Sequence, residues 1–257
     1  MKSRRGWHWT VAIVLIALFS WFCVALLWHL APEWDWRTLW RYRIILWRGW
    51  LLTLIISVSA LFGSTLVGLL LMLGQRSGIA PLKIACRSFL ELVRETPLLV
   101  QLLIGYFLIF APLFGRELGR LDVDDKVIIG ILLLSLFEGA YLGEILRGGI
   151  ESIPRTQWDS ARAVGFDRYQ VYRYVIFPQG IRRVLPALAG LFVSLIKDSS
   201  LLMVIGVQEF TYQSNVYKSK TYGGIEAYVP LAVGYLILTL PIAWASHALE
   251  KRFRYET

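Results

Sequence analysis

The chain has 257 residues, 56% of them hydrophobic and only 18% charged, a balance that excludes a soluble globular surface and indicates a membrane protein. Its net charge of +9 does not mark a nucleic-acid surface, because the basic residues fall in blocks between apolar stretches and not along one polar face. Cys23 and Cys86 lie far apart with no C-x-x-C spacing, which argues against a disulfide framework and against a zinc site.

A membrane core of about 30 Å needs roughly 20 apolar residues per helical crossing. On that measure the sequence predicts an all-α polytopic protein with six transmembrane helices, over 10–30, 50–73, 96–114, 127–147, 184–207 and 228–248. Lys2, Arg4 and Arg5 precede the first span and place the amino terminus in the cytoplasm. An even number of crossings returns Lys251, Arg252 and Arg254 to the same side. With Arg147 counted at the end of the fourth span, the cytoplasmic segments hold 17 Lys and Arg against 9 in the external ones. The first 30 residues also have a basic start and an apolar core, as a signal peptide does. Their apolar run is too long for one, and no A-x-A-like site follows. Nine of the eleven tryptophans lie between Trp7 and Trp50, interleaved with Arg37, Arg41, Arg43 and Arg48, so residues 31–49 are expected to form an amphipathic helix in the interface.

The second span carries Ala60, Ser64 and Gly68 at four-residue spacing and the fourth carries Gly139 and Gly143, small residues that let helices approach closely. At the start of the third span, Thr96 reads as a helix cap with Pro97 in the first turn, and a gating bend is the alternative. Only the fourth and fifth spans hold charges: Glu138, Glu144, Lys197 and Asp198. Such groups face a cavity or a partner, since each costs about 2.5 to 3.5 kcal/mol on insertion scales. Glu138, Tyr141 and Glu144 recur at three-residue steps, over about a third of the helix circumference. No internal repeat marks the paired halves found in many secondary transporters.

The basic segment 148–183 is composed as two short helices. Thr156 with Asp159 has the form of a capping box that starts a helix at Gln157, and Gly165 ends it. Asp167 with Gln170 repeats the start signal, and Pro178 supplies the stop. Trp158, Ala161 and Val164 mark the apolar side of the first helix, and Tyr172, Val175 and Ile176 that of the second, with Arg168 and Arg173 left to water. Ordering some 35 residues costs about 1 to 2 kcal/mol each. A groove on a cytoplasmic partner would offset this; a solvated loop that only helps set topology is the other reading.

The run Asp159-Ser160-Ala161-Arg162-Ala163-Val164-Gly165, continuing to Ile176-Phe177-Pro178-Gln179, resembles the EAA loop of ABC importer permeases. Arg94-Glu95-Thr96-Pro97-Leu98-Leu99-Val100-Gln101, Ala140-Tyr141-Leu142-Gly143-Glu144-Ile145 and Lys197-Asp198-Ser199-Ser200-Leu201 are similar to the polar amino acid branch, which imports histidine, glutamine, glutamate, arginine and opines. The likeness covers about 46–250 as a five-helix core; 1–45 stands before it as a helix and interfacial segment, and 251–257 is a cytoplasmic tail. Asp159 and Ser160 stand where that family often has Glu and Ala, Gly180 replaces a common alanine, and Gly190 sits where many members have asparagine.

The resemblance implies a bacterial inner-membrane permease with a pair of ATP-binding cassette ATPases, a second permease subunit, identical or homologous, and an external amino-acid-binding protein. It implies coupling to the ATPases through Trp158, Asp159, Ser160, Ala161, Ala163, Gly165, Phe166 and Pro178. A substrate pathway would run past Gln101, Glu138, Tyr141, Glu144, Lys197, Asp198 and Ser199, the carboxylates binding the ammonium of a zwitterionic or cationic amino acid. Mutual pairing of the buried charges, Lys197 with a carboxylate, is the structural alternative. No G-x-x-x-x-G-K-[ST] loop is present, so no cofactor is expected on this chain, and ATP with magnesium belongs to the partner ATPase. The competing class is an ion-coupled secondary transporter. A membrane enzyme is disfavoured, because His8, His29 and His247 form no H-E-x-x-H pair and there is no G-x-S-x-G elbow.

Overall fold

A computed structural model describes residues 11, 13–22, 24–25, 29, 35–113 and 124–253. Its first helix, α1, is described over the apolar Ile13–Phe22; the remainder of the span expected at 10–30 falls largely outside the described residues. Helix α2, Trp36–Gln75, runs unbroken for 40 residues, about 60 Å at 1.5 Å per residue. Asp35 caps it, accepting from the backbone N–H groups of Arg37 (3.0 Å) and Thr38 (3.1 Å). From Trp36 onward the segment expected as an interfacial helix, 31–49, is continuous with α2, since no proline and no glycine before Gly49 interrupts it.

Helix α5, Asp124–Glu151, packs along α2 through the small residues marked by spacing. Ala60, Ser64 and Gly68 are buried on α2. A Cβ on Gly68 would lie 2.6 Å from Leu142 Cδ2 and 2.9 Å from the Gly143 nitrogen, and one on Gly139 would lie 2.6 Å from Val67 Cβ. Backbone meets backbone here, and only glycine fits.

Residues 74–95, expected only as a basic connection, contain helix α3, Ala80–Glu95. It buries Leu90 and Val93 and leaves Lys83 half-buried and Arg87 exposed. A bend of 110° then leads into α4, Leu98–Leu113, whose stretch Ile104–Phe110 is π-helical. The bend lies at Thr96–Pro97. Proline forces the residue before it into extended backbone, and Thr96 has φ −111° and ψ 140°. Thr96 is consequently no amino-terminal cap: its hydroxyl donates back to the Leu92 carbonyl (2.7 Å), and Pro97 itself occupies the cap position of α4.

Beyond α5 come α6, Arg155–Ala163; α7, Arg168–Ile205; α8, Phe210–Thr221; and α9, Gly224–Phe253. The chain passes through α7 without a stop at Pro178, contrary to expectation. Val171–Ile176 widens into a π-helical turn immediately before it, which accommodates a ring that lacks an N–H and crowds the preceding turn. Among the described residues, four helices are long and apolar enough to cross a membrane (α2, α5, α7 and α9), or five if the bent pair α3–α4 counts as one. Helix α8 lies where only an external connection was expected. Buried Glu209 caps it, accepting from Thr211 N and Tyr212 N (both 2.8 Å) and from the Tyr235 hydroxyl (3.1 Å).

Replacing Gly68 with alanine is expected to destabilise the bundle by about 1 to 3 kcal/mol through overpacking. Gly190→Ala, whose added Cβ would meet nothing within 4 Å, serves as the matched control. Thermal melting of the detergent-solubilised protein checks this; equal melting temperatures for the two variants would remove the glycine seam as a stability determinant.

Candidate functional site

Two regions assemble the residues marked in the sequence. In the bundle, Glu138 and Glu144 are six residues apart on α5, so their side chains diverge by about 120° and reach different neighbours. Glu138 is only 2% exposed, adjoins Asp198 of α7, and its Oε1 has no hydrogen-bond partner among the described residues. Asp198 is half-buried at the point where α7 tightens from α-helix into the 3-10 stretch Ser199–Ile205. A buried carboxyl oxygen without a partner is costly and rare, so two adjoining acids form a locus that a cation would relieve.

The other pathway candidates lie elsewhere. Lys197 is exposed and interacts electrostatically with Asp198 but makes no ion pair within 4 Å among the described residues, so the direct pairing with a carboxylate that stood as the structural alternative is not formed. The Ser199 hydroxyl is spent on the Ile196 carbonyl (2.7 Å). Gln101 is committed to the bend, its Nε2 donating to Val93 O (2.7 Å) and Thr96 O (3.0 Å). Tyr141 packs on Phe137, ring centroids 5.2 Å apart, with the Arg94 guanidinium 5.7 Å above its ring. Glu144 binds Arg147 through Nη2 (2.8 Å) and Nε (3.2 Å) and lies 3.8 Å from Arg94 Nη1. It thus ties α3 to α5 at the α6 end of the bundle. Arg94 was visible only as a motif letter and Arg147 only as a charge at the end of the fourth span; their partner was not readable, because the bend after Arg94 is a tertiary feature.

The second region is the protrusion formed by α6 and the first turns of α7. Helix α6 begins at Arg155 behind Pro154, with no side-chain cap, so the capping box expected at Thr156 and Asp159 is not formed. The proline starts the helix two residues earlier. Its end is as expected: Gly165 takes φ +89°, Phe166 N donates to Ala161 O (3.2 Å) and Gly165 N to Arg162 O (2.9 Å), a Schellman turn. Asp167 and Gln170 form the second capping box, with bonds of 2.8 and 2.9 Å.

Between the two helices lies a small core of Ile153, Ala161, Val171 and Ile176, against which Trp158, Tyr172 and Val175 pack. Trp158 meets Tyr172 edge-on at 5.2 Å. This internal core, and the continuity with α7, supply ordering energy that the sequence had assigned to a partner. Val164, expected on the apolar side, is 72% exposed, because the Schellman turn carries it outward. Asp159, Ser160, Ala163, Gly165 and Pro178 are also exposed. Phe166, Tyr169 and Tyr174 join Val164 in an exposed apolar and aromatic tip. The two tyrosines were not anticipated, since helical spacing alone does not say which side the fold covers.

Residues 71–255 match the family described as binding-protein-dependent transport system inner membrane component. The chain is 34% identical over 222 residues to the glutamine transport system permease protein GlnP of Escherichia coli (strain K12), covering 86% of this chain and 99% of that protein. It is 32% identical over 210 residues to the inner membrane amino-acid ABC transporter permease protein YhdY of the same strain, covering 80% of this chain and 56% of that one. A chain from the crystal structure of an amino acid ABC transporter with histidines superposes with a TM-score of 0.76 at 32% identity, covering 85% of this chain and 99% of that chain. The inward-facing MetNI methionine ABC transporter shares the fold, with a TM-score of 0.66 at 18% identity over 82% of this chain and 97% of that one. Membrane-length helices, a protrusion carrying the loop motif and this extent of likeness lead to one assignment: the chain belongs to the binding-protein-dependent transport system inner membrane components, the permease subunits of ABC importers, whose ATP is hydrolysed by a separate subunit.

Proposed function

We propose that this permease carries a polar amino acid bearing an ammonium or other cationic group across the bacterial inner membrane, with Glu138 and Asp198 as the recognition acids. The observation that carries the reading is the partnerless Glu138 Oε1 beside Asp198 inside the bundle. A cation placed between them offsets the cost of burying two acids. Support for the substrate class comes from the names of the relatives, a glutamine permease and an amino acid transporter crystallised with histidines. Tyr141 and Glu144 belong to the α6 end of the route, with Glu144 acting through its ion pairs and not on the solute.

The protrusion docks on the ATPases. Trp158 and Ala161 set its internal joint, Gly165 its turn, and Asp159, Ser160, Ala163, Val164, Phe166 and Tyr169 its contact face. Its side is the cytoplasm, as are both termini, in keeping with the excess of Lys and Arg on that side. The assembly contains two ATPases, a second permease and an external binding protein. No cofactor is held by this chain, and ATP with magnesium is used by the ATPases. Their closure on ATP presses the protrusions together and opens the route outward.

Three outcomes test this. Glu138→Gln should weaken amino-acid-stimulated ATP hydrolysis by the reconstituted complex at least about tenfold in apparent affinity, since one member of a buried pair is lost. Assembly is retained; unchanged stimulation removes Glu138 from the route. Phe166→Asp, at an exposed position, should leave the melting temperature within about 1 °C while co-purification of the ATPase falls; full co-purification would place docking elsewhere. A cysteine at Ser160 should react with a membrane-impermeant maleimide only after cells are permeabilised, and labelling of intact cells would invert the topology.

A further inference from the structure

Between the last turns of α2, the end of α5 and the first half of α7 lies a cavity of about 480 Å³. Most of its wall is apolar and open to the outside of the chain, with Leu69 and Leu73 of α2 facing Phe177 and Ile181 of α7, all four exposed. The polar exceptions are Arg76, Arg168 and Tyr172. Arg76 Nη2 donates to the Tyr172 hydroxyl at 3.0 Å, and neither guanidinium has a carboxylate within 4 Å among the described residues. Arg76 directly follows the last residue of α2, a helix apolar enough to cross the membrane. Arg76 is also the first charged residue after Arg48, so it closes the charge-free stretch of α2 and marks the edge of the hydrocarbon, with Arg168 on the same cavity and an apolar trough running from the two cations along that stretch.

Two cations with no carboxylate within 4 Å among the described residues, joined to an apolar trough at that level, match a molecule with an anionic head contiguous with a hydrocarbon chain. A helix from another protein subunit could cover the apolar wall, but it would leave both guanidiniums without a counter-charge unless it brought acids to the same spot. We propose that the groove holds one anionic phospholipid, its phosphate between Arg76, Arg168 and the Tyr172 hydroxyl and an acyl chain along the α2 and α7 walls. Arg76 also borders a recess of about 500 Å³ whose polar lining is Glu151 and Asp159 with Arg155 and Arg162, beside Trp158, so the headgroup abuts the protrusion itself. The assignment rests on membrane insertion alone and is independent of the solute imported.

Native mass spectrometry of the permease–ATPase complex, purified in mild detergent from membranes containing phosphatidylglycerol and phosphatidylethanolamine, reads the occupant directly. The wild-type complex is expected to retain phosphatidylglycerol in preference to phosphatidylethanolamine. The double variant Arg76→Gln/Arg168→Gln should reduce that retention about tenfold, from the loss of two headgroup-level charges. Gly180→Leu should also displace the lipid, because Gly180 lines the groove and its added Cβ lies no closer than 3.8 Å to a neighbour, leaving room for a side chain to enter. Arg182→Gln, exposed on α7 and not lining the groove, should retain it. Should the variants not fold, the wild-type melting temperature still decides, rising with added phosphatidylglycerol and not with added phosphatidylcholine. Equal retention in the double variant, no headgroup preference in the wild type, or a disulfide cross-link from a cysteine at Leu73 to the second permease would overturn the proposal.

Discussion

Close approach of α2 and α5 is the constraint on which the remaining geometry hangs. Inside a membrane, lipid tails solvate apolar side chains as well as a neighbouring helix does, so helices hold together by packing and not by expulsion of water. Gly68, Gly139 and Gly143 remove the side chains that would keep the two helices apart. The seam also fixes the rotation of α5. Glu138 is the residue before Gly139, so with Gly139 turned onto α2 the acid points past the seam toward α7 and Asp198. Rotating α5 by one residue would put an acid into the backbone contact and carry Glu138 away from its partner.

Helix α7 joins the two functional regions in a single element. From Arg168 to Ile205 it covers 38 residues, about 57 Å, with the protrusion at one end and Asp198 near the other. The π-helical turn before Pro178 keeps it continuous where a proline would otherwise break it. The protrusion and one of the two bundle acids are thereby carried on one helix, whose regularity changes at the π-helical turn Val171–Ile176, at Pro186 and at the 3-10 stretch Ser199–Ile205. A small core of Ile153, Ala161, Val171 and Ile176 packs α6 against the start of α7.

The acids of α5 lie at two electrostatic levels about 9 Å apart along its axis, as six residues of helix require. Glu138 and Asp198 adjoin at the deeper level, where Glu138 Oε1 has no hydrogen-bond partner among the described residues. Glu144 forms the level nearer α6, satisfied by Arg94 and Arg147. The proline bend at Thr96–Pro97, pinned by the Gln101 amide, is what brings Arg94 into range. Two acids on one helix thus do different work, because one meets an acid and the other meets arginines.

By itself, the sequence determined the features that arise from local periodicity and composition. Apolar stretches of membrane length, the small-residue seam, the Asp167–Gln170 cap, the Gly165 turn and the loop motif all depend on residues within one or two helical turns of each other. The tertiary structure alone decided what depends on distant neighbours. The pairing of Glu138 with Asp198, the capture of Glu144 by Arg94, the use of Gln101 as a brace, and the passage of α7 through Pro178 each need a partner or a backbone adjustment set by packing. Spacing along a helix gives the direction of a side chain about its own axis. What that side chain meets depends on where the other helices lie, and in this bundle that is set where backbone touches backbone.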